Sequence, residues 1–512
     1  MPEATPASHT GPQLIAYADR LGGDIRALGT LLDGSLAGAF DGVHLLPFYD
    51  PYDGADAGFD PRNHAAVDAR LGNWDDVRAQ SAGRVVMADV IVNHMSADSE
   101  RFADVKARGG ASPWAGMFLT MSSVFPDGAT EADLARIYRP RPGLPFTAMT
   151  LGGERRLVWT TFTPDQVDLD VRSPIAWEYL TSVIEALTSA GVRMLRLDAV
   201  GYTGKEPGTD CFMTASSHAL TERISEYAHA RGAQVLVEVH GHYRQQIEIA
   251  QHVDLVYDFA LPPLILHALT AADLEPLGRW LEVRPGNAVT VLDTHDGIGV
   301  VDVCASDRFP GVPGLLAPDQ IDALVETIHT NSGGTSRQAT GASASNLDLY
   351  QVNCTFYDAL ARDDRRYLLA RLVQLFVPGV PQVYYVGLLA GTNDMELLRA
   401  TGVGRDINRH RYTPDEVERD LQRPVVRAQL TALRLRREHP AFHGQFAWSI
   451  EGTLAELTWS DGENRAELVL DVRDATFELR ASDGDALKLA LNDSGKGVEP
   501  ASAATCLSAV EM

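Results

Sequence analysis

Residues 192–200 read VRMLRLDAV, an apolar run that carries an arginine and an aspartate near its end. Continuous apolar runs of this kind are typical of strands that are buried on both faces of a parallel sheet. Seven similar runs are QLIAYADR (13–20), GVHLLPF (42–48), RVVMADVIV (84–92), QVLVEV (234–239), VDLVYDF (253–259), NAVTVLDT (287–294) and VPQVYYV (380–386). Helical patterns lie between them, so the sequence predicts an α/β fold, a (β/α)8 TIM barrel.

One of the intervening helices is well marked by its end signals. Ser173 is a plausible N-cap, and Pro174 suits the first helical position. Gly191 is placed to end the helix. Apolar residues recur between these positions at helical spacing, so we expect a helix that packs one face on the barrel.

Two long stretches interrupt the strand–helix rhythm, and a different pattern follows it. Insertions of such length are usually functional or form small subdomains. After about residue 442, apolar and polar residues alternate, which predicts an antiparallel β domain. The predicted units are a catalytic barrel (1–91, 173–297 and 362–441), an inserted domain B (92–172), an inserted subdomain B′ (298–361) and a C-terminal β domain (442–512).

The charge and the apolar content of the sequence exclude some classes of binding partner. The 512 residues include 69 acidic and 44 basic side chains, which gives a net charge of −25. A surface this acidic repels nucleic acid and anionic lipid. The N-terminus has no basic and apolar pattern of a signal peptide, and no run has the length of a membrane span. We therefore expect a cytoplasmic protein with no nucleic-acid or membrane partner.

Polar side chains gather near the ends of several predicted strands. In a TIM barrel these ends form the active-site face. The polar residues at these positions are Asp89, Asn93, His94, Arg196, Asp198, Glu238, His240, Asp293, His295 and Asp296. Several carboxylates at one mouth suit glycosyl transfer, which needs a nucleophile, a proton donor and negative charge beside an oxocarbenium-like transition state. Arg196 shares a barrel face with Asp198, and we expect its charge to keep Asp198 ionised.

Four motifs carry a resemblance to a known family. DVIVNH (89–94), RLDAV (196–200), EVH (238–240) and LDTHD (292–296) resemble the four conserved regions of the α-amylase superfamily, glycoside hydrolase family 13. Longer strings are similar to the sucrose phosphorylase branch of that superfamily over nearly all of residues 12–440. They include YDGADAGFDP (52–61), IYRPRPGLPF (137–146), ASNLDLYQVN (344–353) and GRDINRH (404–410).

The resemblance implies a role for each matching residue. Asp198 matches the nucleophile, Glu238 the general acid/base and Asp296 the transition-state stabiliser. Residues that match the glucosyl pocket are Asp56, Phe59, His94, Phe162, Arg196, His295 and Arg405. Residues that match the acceptor side, where fructose and phosphate alternate, are Tyr138, Arg141, Tyr202, His240, Leu347, Asp348, Tyr350 and Gln351.

The activity implied by this branch is transfer of a glucosyl unit from sucrose to inorganic phosphate, with retention of configuration. The products are α-D-glucose 1-phosphate and D-fructose. Two alternatives stay open. A sister phosphorylase would use sucrose 6′-phosphate, glucosylglycerate or glucosylglycerol, and a catalytically inactive barrel would serve as a binding subunit.

The resemblance also implies no cofactor and no metal, and it favours a homodimer. Asn93 helps to bind a structural calcium ion in many amylases, but the branch resembled here does without it. An anionic acceptor needs local positive charge in so acidic a protein. We expect Arg141 and His240 to supply it.

Overall fold

Eight parallel strands close into a barrel, in which each strand lies beside the next barrel strand along the chain and the last pairs with the first. The computed structural model describes residues 11–140, 143–340, 351–483 and 486–490. The barrel strands are β1 (Gln13–Ala16), β2 (Gly42–Leu45), β3 (Val85–Ile91), β4 (Met194–Asp198), β5 (Gln234–Val237), β6 (Leu255–Asp258), β7 (Ala288–Thr290) and β8 (Val380–Tyr384). Each lies within one of the eight apolar runs, so the predicted TIM barrel is confirmed.

The burial of the strands explains why their sequences are continuously apolar. Every residue of β1, β4 and β8 is buried, because the barrel interior covers one face and the outer layer covers the other. Several strands are shorter than the runs that predicted them. β5 ends at Val237, so Glu238 lies one residue beyond it at the barrel mouth. The polar ends of the runs are therefore placed where a site can form.

Helices lie between the strands in chain order. The longer ones are Ile25–Asp33, Trp74–Gly83, Glu100–Arg108, Pro174–Ser189, Ala215–His229, Tyr243–Ile249, Leu261–Ala271, Glu275–Val283, Pro318–Asn331, Asp364–Phe376, Met395–Thr401, Pro414–Asp420 and Pro424–Glu438. Short helices are Met121–Val124, Glu131–Arg136, Thr335–Thr340, Phe356–Ala359 and Tyr385–Leu388. Within the described ranges, no helix is both long and apolar enough to cross a membrane.

The helix Pro174–Ser189 begins and ends close to the predicted residues. Ser173 occupies the N-cap position, although its hydroxyl caps no backbone N–H among the described residues. Gly191 has a positive φ of 87°, and a Cβ there would lie 2.7 Å from the Cβ of Ser81. Glycine is therefore required at this position by backbone conformation and by close packing.

Segments that leave the barrel bring further residues to its mouth. After β2, an antiparallel pair, Tyr49–Pro51 with Pro61–Val67, encloses a loop that the sequence analysis did not predict as a separate feature. Between β3 and β4, His94–Ser96 pairs with Gln166–Asp168, and Phe146–Leu151 pairs with Glu154–Trp159. Between β7 and β8, Ile298–Gly299 pairs with Gln351–Val352. The exact domain boundaries stay predictions.

The C-terminal part forms one antiparallel sheet, as the alternating pattern predicted. Its strands, in chain order, are Gln445–Glu451, Leu454–Asp461, Asn464–Asp471, Thr476–Asp483 and Ala486–Ala490. Trp459 joins this sheet to the barrel, because its indole N–H donates a 2.6 Å hydrogen bond to the Phe376 carbonyl. The helix Asp364–Phe376 therefore provides the surface on which the sheet packs.

Candidate active site

A pocket of about 670 Å³ opens at the carboxyl ends of the barrel strands. Its lining contains all three carboxylates singled out in the sequence. The lining residues are Asp56, Phe59, His94, Pro140, Phe162, Asp198, Ala199, Tyr202, Glu238, His240, His295, Asp296, Gln351 and Arg405. Residues that are far apart in the chain are thus brought to one pocket at the mouth of the barrel, a usual place for a small-molecule site.

Two predicted site residues lie just outside this lining. Arg196 is beneath the pocket, in contact with Asp198. Tyr138 packs against Tyr202, with ring centroids 6.1 Å apart. Four other predicted residues lie outside the described part of the chain, namely Arg141, Leu347, Asp348 and Tyr350.

Arg196 holds the acidic groups of neighbouring strands. It pairs in register with Asp89 on β3, and its Nη1 lies 2.5 Å from Asp89 Oδ1. The same Nη1 lies 2.9 Å from Asp198 Oδ1, while Nη2 lies 3.9 Å from Glu238 Oε1. One buried guanidinium therefore links the bottom of the site to two of its three carboxylates.

The charge on Asp198 is set by opposing effects. Burial raises the pKa of the Asp198 carboxyl, Arg196 opposes this rise, and the charges of Glu238, Asp89 and Asp56 add to it. The pKa of Asp198 therefore lies well above the usual range, contrary to our expectation that Arg196 alone would keep it ionised.

Backbone geometry positions Glu238 relative to Asp198. The N–H of Ala199 donates a 3.1 Å hydrogen bond to Glu238 Oε2. Ala199 has a positive φ of 56°, an uncommon conformation for a residue with a Cβ. Such conformations persist where the surrounding structure imposes them, frequently at active sites. Here the conformation follows directly after the aspartate of β4 and aims an N–H at the second carboxylate.

Asp296 has the opposite electrostatic environment. Burial raises its pKa, but Arg405, then His295 and Arg409, lower it far below the usual range. Arg405 Nη1 lies 2.8 Å from Asp296 Oδ1 and 3.4 Å from Asp56 Oδ1. Asp296 is therefore a fixed anion, whereas burial raises the pKa of the Asp198 carboxyl.

The segment after β8 also holds the backbone around Asp296. Asn408 Nδ2 donates to the Thr294 carbonyl at 3.0 Å and to the Asp296 carbonyl at 3.4 Å. Arg409 Nε donates to the His295 carbonyl at 2.9 Å. Asn408 and Arg409 were not predicted as site residues, because nothing local in the sequence indicates a contact across more than 100 positions.

Aromatic rings form one wall of the pocket. Phe59 stacks on His295, with centroids 4.6 Å apart and planes 7° apart. His94 contacts Phe162, which in turn contacts Tyr202. Burial lowers the pKa of His295 to about 3, so this imidazole is neutral at physiological pH. The wall therefore offers aromatic rings and a neutral imidazole, which suit the apolar faces of a sugar ring.

Lys205, like Asn408 and Arg409, was not predicted as a site residue from the sequence. Its buried Nζ lies 2.8 Å from Asp168 Oδ2 and 3.2 Å from Asn93 Oδ1. It also donates to Thr161 Oγ1 at 3.1 Å and to the Tyr202 carbonyl. The ammonium group of Lys205 therefore lies beside Asn93, the residue that in many amylases helps to bind a calcium ion.

Replacing Lys205 with methionine should destabilise the fold, because the buried Asp168 carboxylate loses its cationic partner. Asp168 is fully buried, and loss of its partner should cost about 3–5 kcal/mol of unfolding free energy. Denaturant titration measures this loss, and the exposed Lys106→Met variant is the matched control. Chelation of divalent ions should leave wild-type activity and unfolding unchanged. A calcium-dependent loss of either property in the wild type would contradict the assignment.

Asp60 is a buried carboxyl near Asp56, and its titration makes the stability of the fold depend on pH. Burial, then the charge of Asp56, raises the pKa of Asp60 from 3.8 to about 7. Asp165 and Asp53 add to this rise. The folded protein therefore holds this proton more tightly than the unfolded chain does. The stability associated with it is present near pH 4 and is lost as the pH rises through about 7.

Asp60→Asn should remove this loss of stability. We expect its unfolding temperature to exceed that of the wild type at pH 8, with the difference shrinking toward pH 4. Thermal unfolding across this range measures the difference. The exposed Asp127→Asn variant controls for removal of a surface carboxylate. A constant difference between Asp60→Asn and wild type at every pH would show that Asp60 does not titrate as described.

The barrel and its strand-end carboxylates define a protein of the α-amylase class. Residues 35–239 match the model of the Alpha amylase catalytic domain. The chain is 54% identical over 461 residues to a sucrose phosphorylase of Bifidobacterium adolescentis, covering 90% of this chain and 92% of the relative. It is 54% identical over 473 residues to a sucrose phosphorylase of Agrobacterium vitis, covering 92% and 96% of the two chains.

A solved structure agrees over almost the whole chain. The crystal structure of sucrose 6F-phosphate phosphorylase from Thermoanaerobacter thermosaccharolyticum has a TM-score of 0.86 and 34% sequence identity. The match covers 97% of this chain and 98% of that one. The chain belongs to the sucrose phosphorylase family.

Proposed function

We propose that this chain is a sucrose phosphorylase, a hexosyltransferase that acts by retaining double displacement. It transfers the glucosyl unit of sucrose to inorganic phosphate and yields α-D-glucose 1-phosphate and D-fructose. The observation that carries this proposal is the convergence of Asp198, Glu238 and Asp296 on one pocket. Asp296 is a fixed anion, while burial raises the pKa of the Asp198 carboxyl. The 54% identity to curated sucrose phosphorylases supports the choice of substrates.

The first half-reaction breaks the glycosidic bond of sucrose. Asp198, as the carboxylate, attacks the anomeric carbon, while Glu238 gives its proton to the fructosyl oxygen. The bond between carbon and oxygen breaks, fructose leaves, and a β-glucosyl ester forms on Asp198. Arg196 stabilises the charged form of Asp198 in this step. Asp296 provides negative charge beside the oxocarbenium-like transition state.

The second half-reaction transfers the glucosyl unit to phosphate. Glu238 is now a carboxylate and accepts a proton from the incoming acceptor, as microscopic reversibility requires. A phosphate oxygen bonds to the anomeric carbon from the face that fructose left, and the ester to Asp198 breaks. Two inversions give net retention, so the product is the α anomer.

The remaining residues are assigned by their positions in the pocket. Arg405 and Asp56 are in contact and lie beside Asp296, which suits hydrogen bonding to glucosyl hydroxyls. Phe59 and Phe162 belong to the aromatic wall of the same subsite. Tyr202, His240 and Gln351 line the pocket and are assigned to the acceptor side. The roles of Arg141, Leu347, Asp348 and Tyr350 stay sequence predictions.

A sister phosphorylase with another glucosyl donor is the alternative from the same class. The identity to the two sucrose phosphorylases named above is 54%, against 40% for a glucosylglycerol phosphorylase and 37% for a sucrose 6(F)-phosphate phosphorylase, which favours sucrose. A catalytically inactive barrel is disfavoured because Asp198, Glu238 and Asp296 are all present and converge on one pocket.

A donor panel tests the proposal. The protein is incubated with inorganic phosphate and sucrose, sucrose 6′-phosphate, glucosylglycerate or glucosylglycerol, and glucose 1-phosphate is measured. We expect the highest kcat/KM with sucrose. A higher value for another donor would reassign the substrate, and no product from any donor would support the inactive barrel. Determining the anomeric configuration of the product by NMR tests retention.

Location and assembly are part of the same proposal. The cytoplasmic location predicted for the chain is kept as part of this proposal. A homodimer is supported by its frequency in the family. Light scattering of the purified chain gives its mass in solution, and a value near 55.5 kDa rather than twice that mass would contradict the dimer.

A further inference from the structure

Asp302 is fully buried in the short turn Val301–Val303 and binds His240 from behind the pocket. Its Oδ2 lies 2.8 Å from His240 Nδ1. Its Oδ1 accepts hydrogen bonds of 3.0 Å from the Gly241 N–H and from Gln246 Nε2. A carboxylate only accepts hydrogen bonds, so Nδ1 of His240 carries a hydrogen in this contact.

The ring of His240 is held in a fixed plane. It stacks on Phe259, with centroids 3.9 Å apart and planes 14° apart. Gly299 permits the close approach of Asp302 to the ring. A Cβ on that residue would lie 2.4 Å from Asp302 Oδ2 and 3.3 Å from His240 Nδ1. The contact between His240 and Asp302 therefore depends on a built cradle.

The other ring nitrogen is directed toward the reacting groups. Nε2 of His240 lies 3.7 Å from Glu238 Oε1 and 3.5 Å from Gln351 Nε2. One carboxylate oxygen each of Glu238 and Asp296 and a ring nitrogen of His240 all lie within 4.8 Å of one another. His240 therefore sits where an acceptor must approach Glu238.

Three acidic groups of the described chain face His240, namely Asp302, Glu238 and Asp296. Burial lowers the pKa of His240, but the charge and hydrogen bond of Asp302, followed by Glu238 and Asp296, raise it above the ordinary value. These carboxylates therefore favour the protonated form of the imidazole. In a chain of net charge −25, such a cation is a local attraction for an anion.

We propose that Asp302 is a positioning residue that anchors Nδ1 of His240 and aims its Nε2 into the acceptor site, so that the enzyme binds an oxyanion there. The ligand class is inorganic phosphate, and the inference rests on the proposed function. Asp302 makes its contribution through His240 and does not touch the acceptor. It therefore governs the choice of an anionic acceptor over neutral ones.

The test compares acceptors in the Asp302→Asn variant, which keeps the size of the side chain and removes its charge. We expect the KM for inorganic phosphate at pH 7.5 to rise about tenfold, the scale of a lost charged hydrogen bond. The KM for glycerol, a neutral acceptor, should change less than twofold. At pH 5.5 the phosphate difference should shrink, because the imidazole regains its proton. Sucrose hydrolysis without phosphate reports on the intact glucosyl site.

Two further variants separate this role from a structural one. The Asp258→Asn control removes another fully buried carboxylate, bound to Trp280 and Arg284, and should leave the ratio of the two KM values unchanged. In a His240→Gln background, Asp302→Asn should have no further effect on phosphate KM. If Asp302→Asn does not fold, the pH profile of phosphate KM in His240→Gln alone decides, and we expect it to be flatter than in the wild type.

Equal changes for phosphate and glycerol would overturn the inference. So would a full effect of Asp302→Asn in the His240→Gln background, or an unaltered pH profile in His240→Gln alone. These outcomes are distinct from failure of the proposed function. That failure would appear in the wild-type enzyme as no glucose 1-phosphate from sucrose and phosphate.

Discussion

Replacing Asp198 with alanine should reduce turnover of sucrose by about 10⁴-fold or more, because no covalent intermediate can form. The fold should survive this change. Arg196 keeps its 2.5 Å contact with Asp89, so its guanidinium stays paired. Steady-state release of glucose 1-phosphate measures the loss, and circular dichroism measures the fold.

Two measurements identify the nucleophile directly. A fluorinated glucosyl fluoride that forms the ester faster than it releases it should label the wild type on Asp198, as read by peptide mass spectrometry. Azide added to Asp198→Ala should restore part of the turnover and give β-glucosyl azide, since it attacks from the vacated face. An ester on any other residue would contradict the assignment, as would α-glucosyl azide.

The matched control for this variant is Asp258→Asn. Asp258 also ends a barrel strand and is fully buried, but its carboxylate binds Trp280 and Arg284 instead of lining the pocket. We expect this variant to lose stability and to keep its kcat within a few-fold of the wild type. A loss equal to that of Asp198→Ala would show that the assay reports damage to the barrel.

The barrel could be predicted from the sequence because burial on two faces leaves a local trace. The strands lie within largely apolar runs, and several of these runs end in polar residues that a core would not select. The same logic placed Asp198 and Glu238 at one mouth. It works because strand direction and barrel closure are general properties of the fold, so a residue near a strand end has a known location.

Contacts across the fold could not be predicted in this way. Arg409 and His295 are 114 positions apart, and Lys205 and Asn93 are 112 apart. Nothing local distinguishes these side chains from solvated charges. The protonation of Asp198 could not be predicted either. Arg196 beside it suggests an ionised carboxyl, but burial and the neighbouring carboxylates raise its pKa. Electrostatics of a buried site depend on every charge that faces it.

Glu238→Gln should separate proton donation from nucleophilic attack. With sucrose, the variant should lose about 10²–10⁴-fold in kcat/KM, because the fructosyl oxygen leaves without a proton. With α-glucosyl fluoride the loss should be far smaller, since fluoride departs without protonation. The amide oxygen of glutamine can still accept the hydrogen bond from the Ala199 N–H, so the geometry beside Asp198 is kept.

The measurement is the ratio of kcat/KM for the two donors, in wild type and variant, at saturating phosphate. Because the step on sucrose needs a proton on the general acid, the wild type should lose activity on sucrose at high pH. The same decline should be weaker with the fluoride donor, and absent in Glu238→Gln. An equal loss on both donors would remove the acid role from Glu238. The pocket would then have to supply the proton from another group, and His240, 3.7 Å from Glu238, would be the first candidate to test.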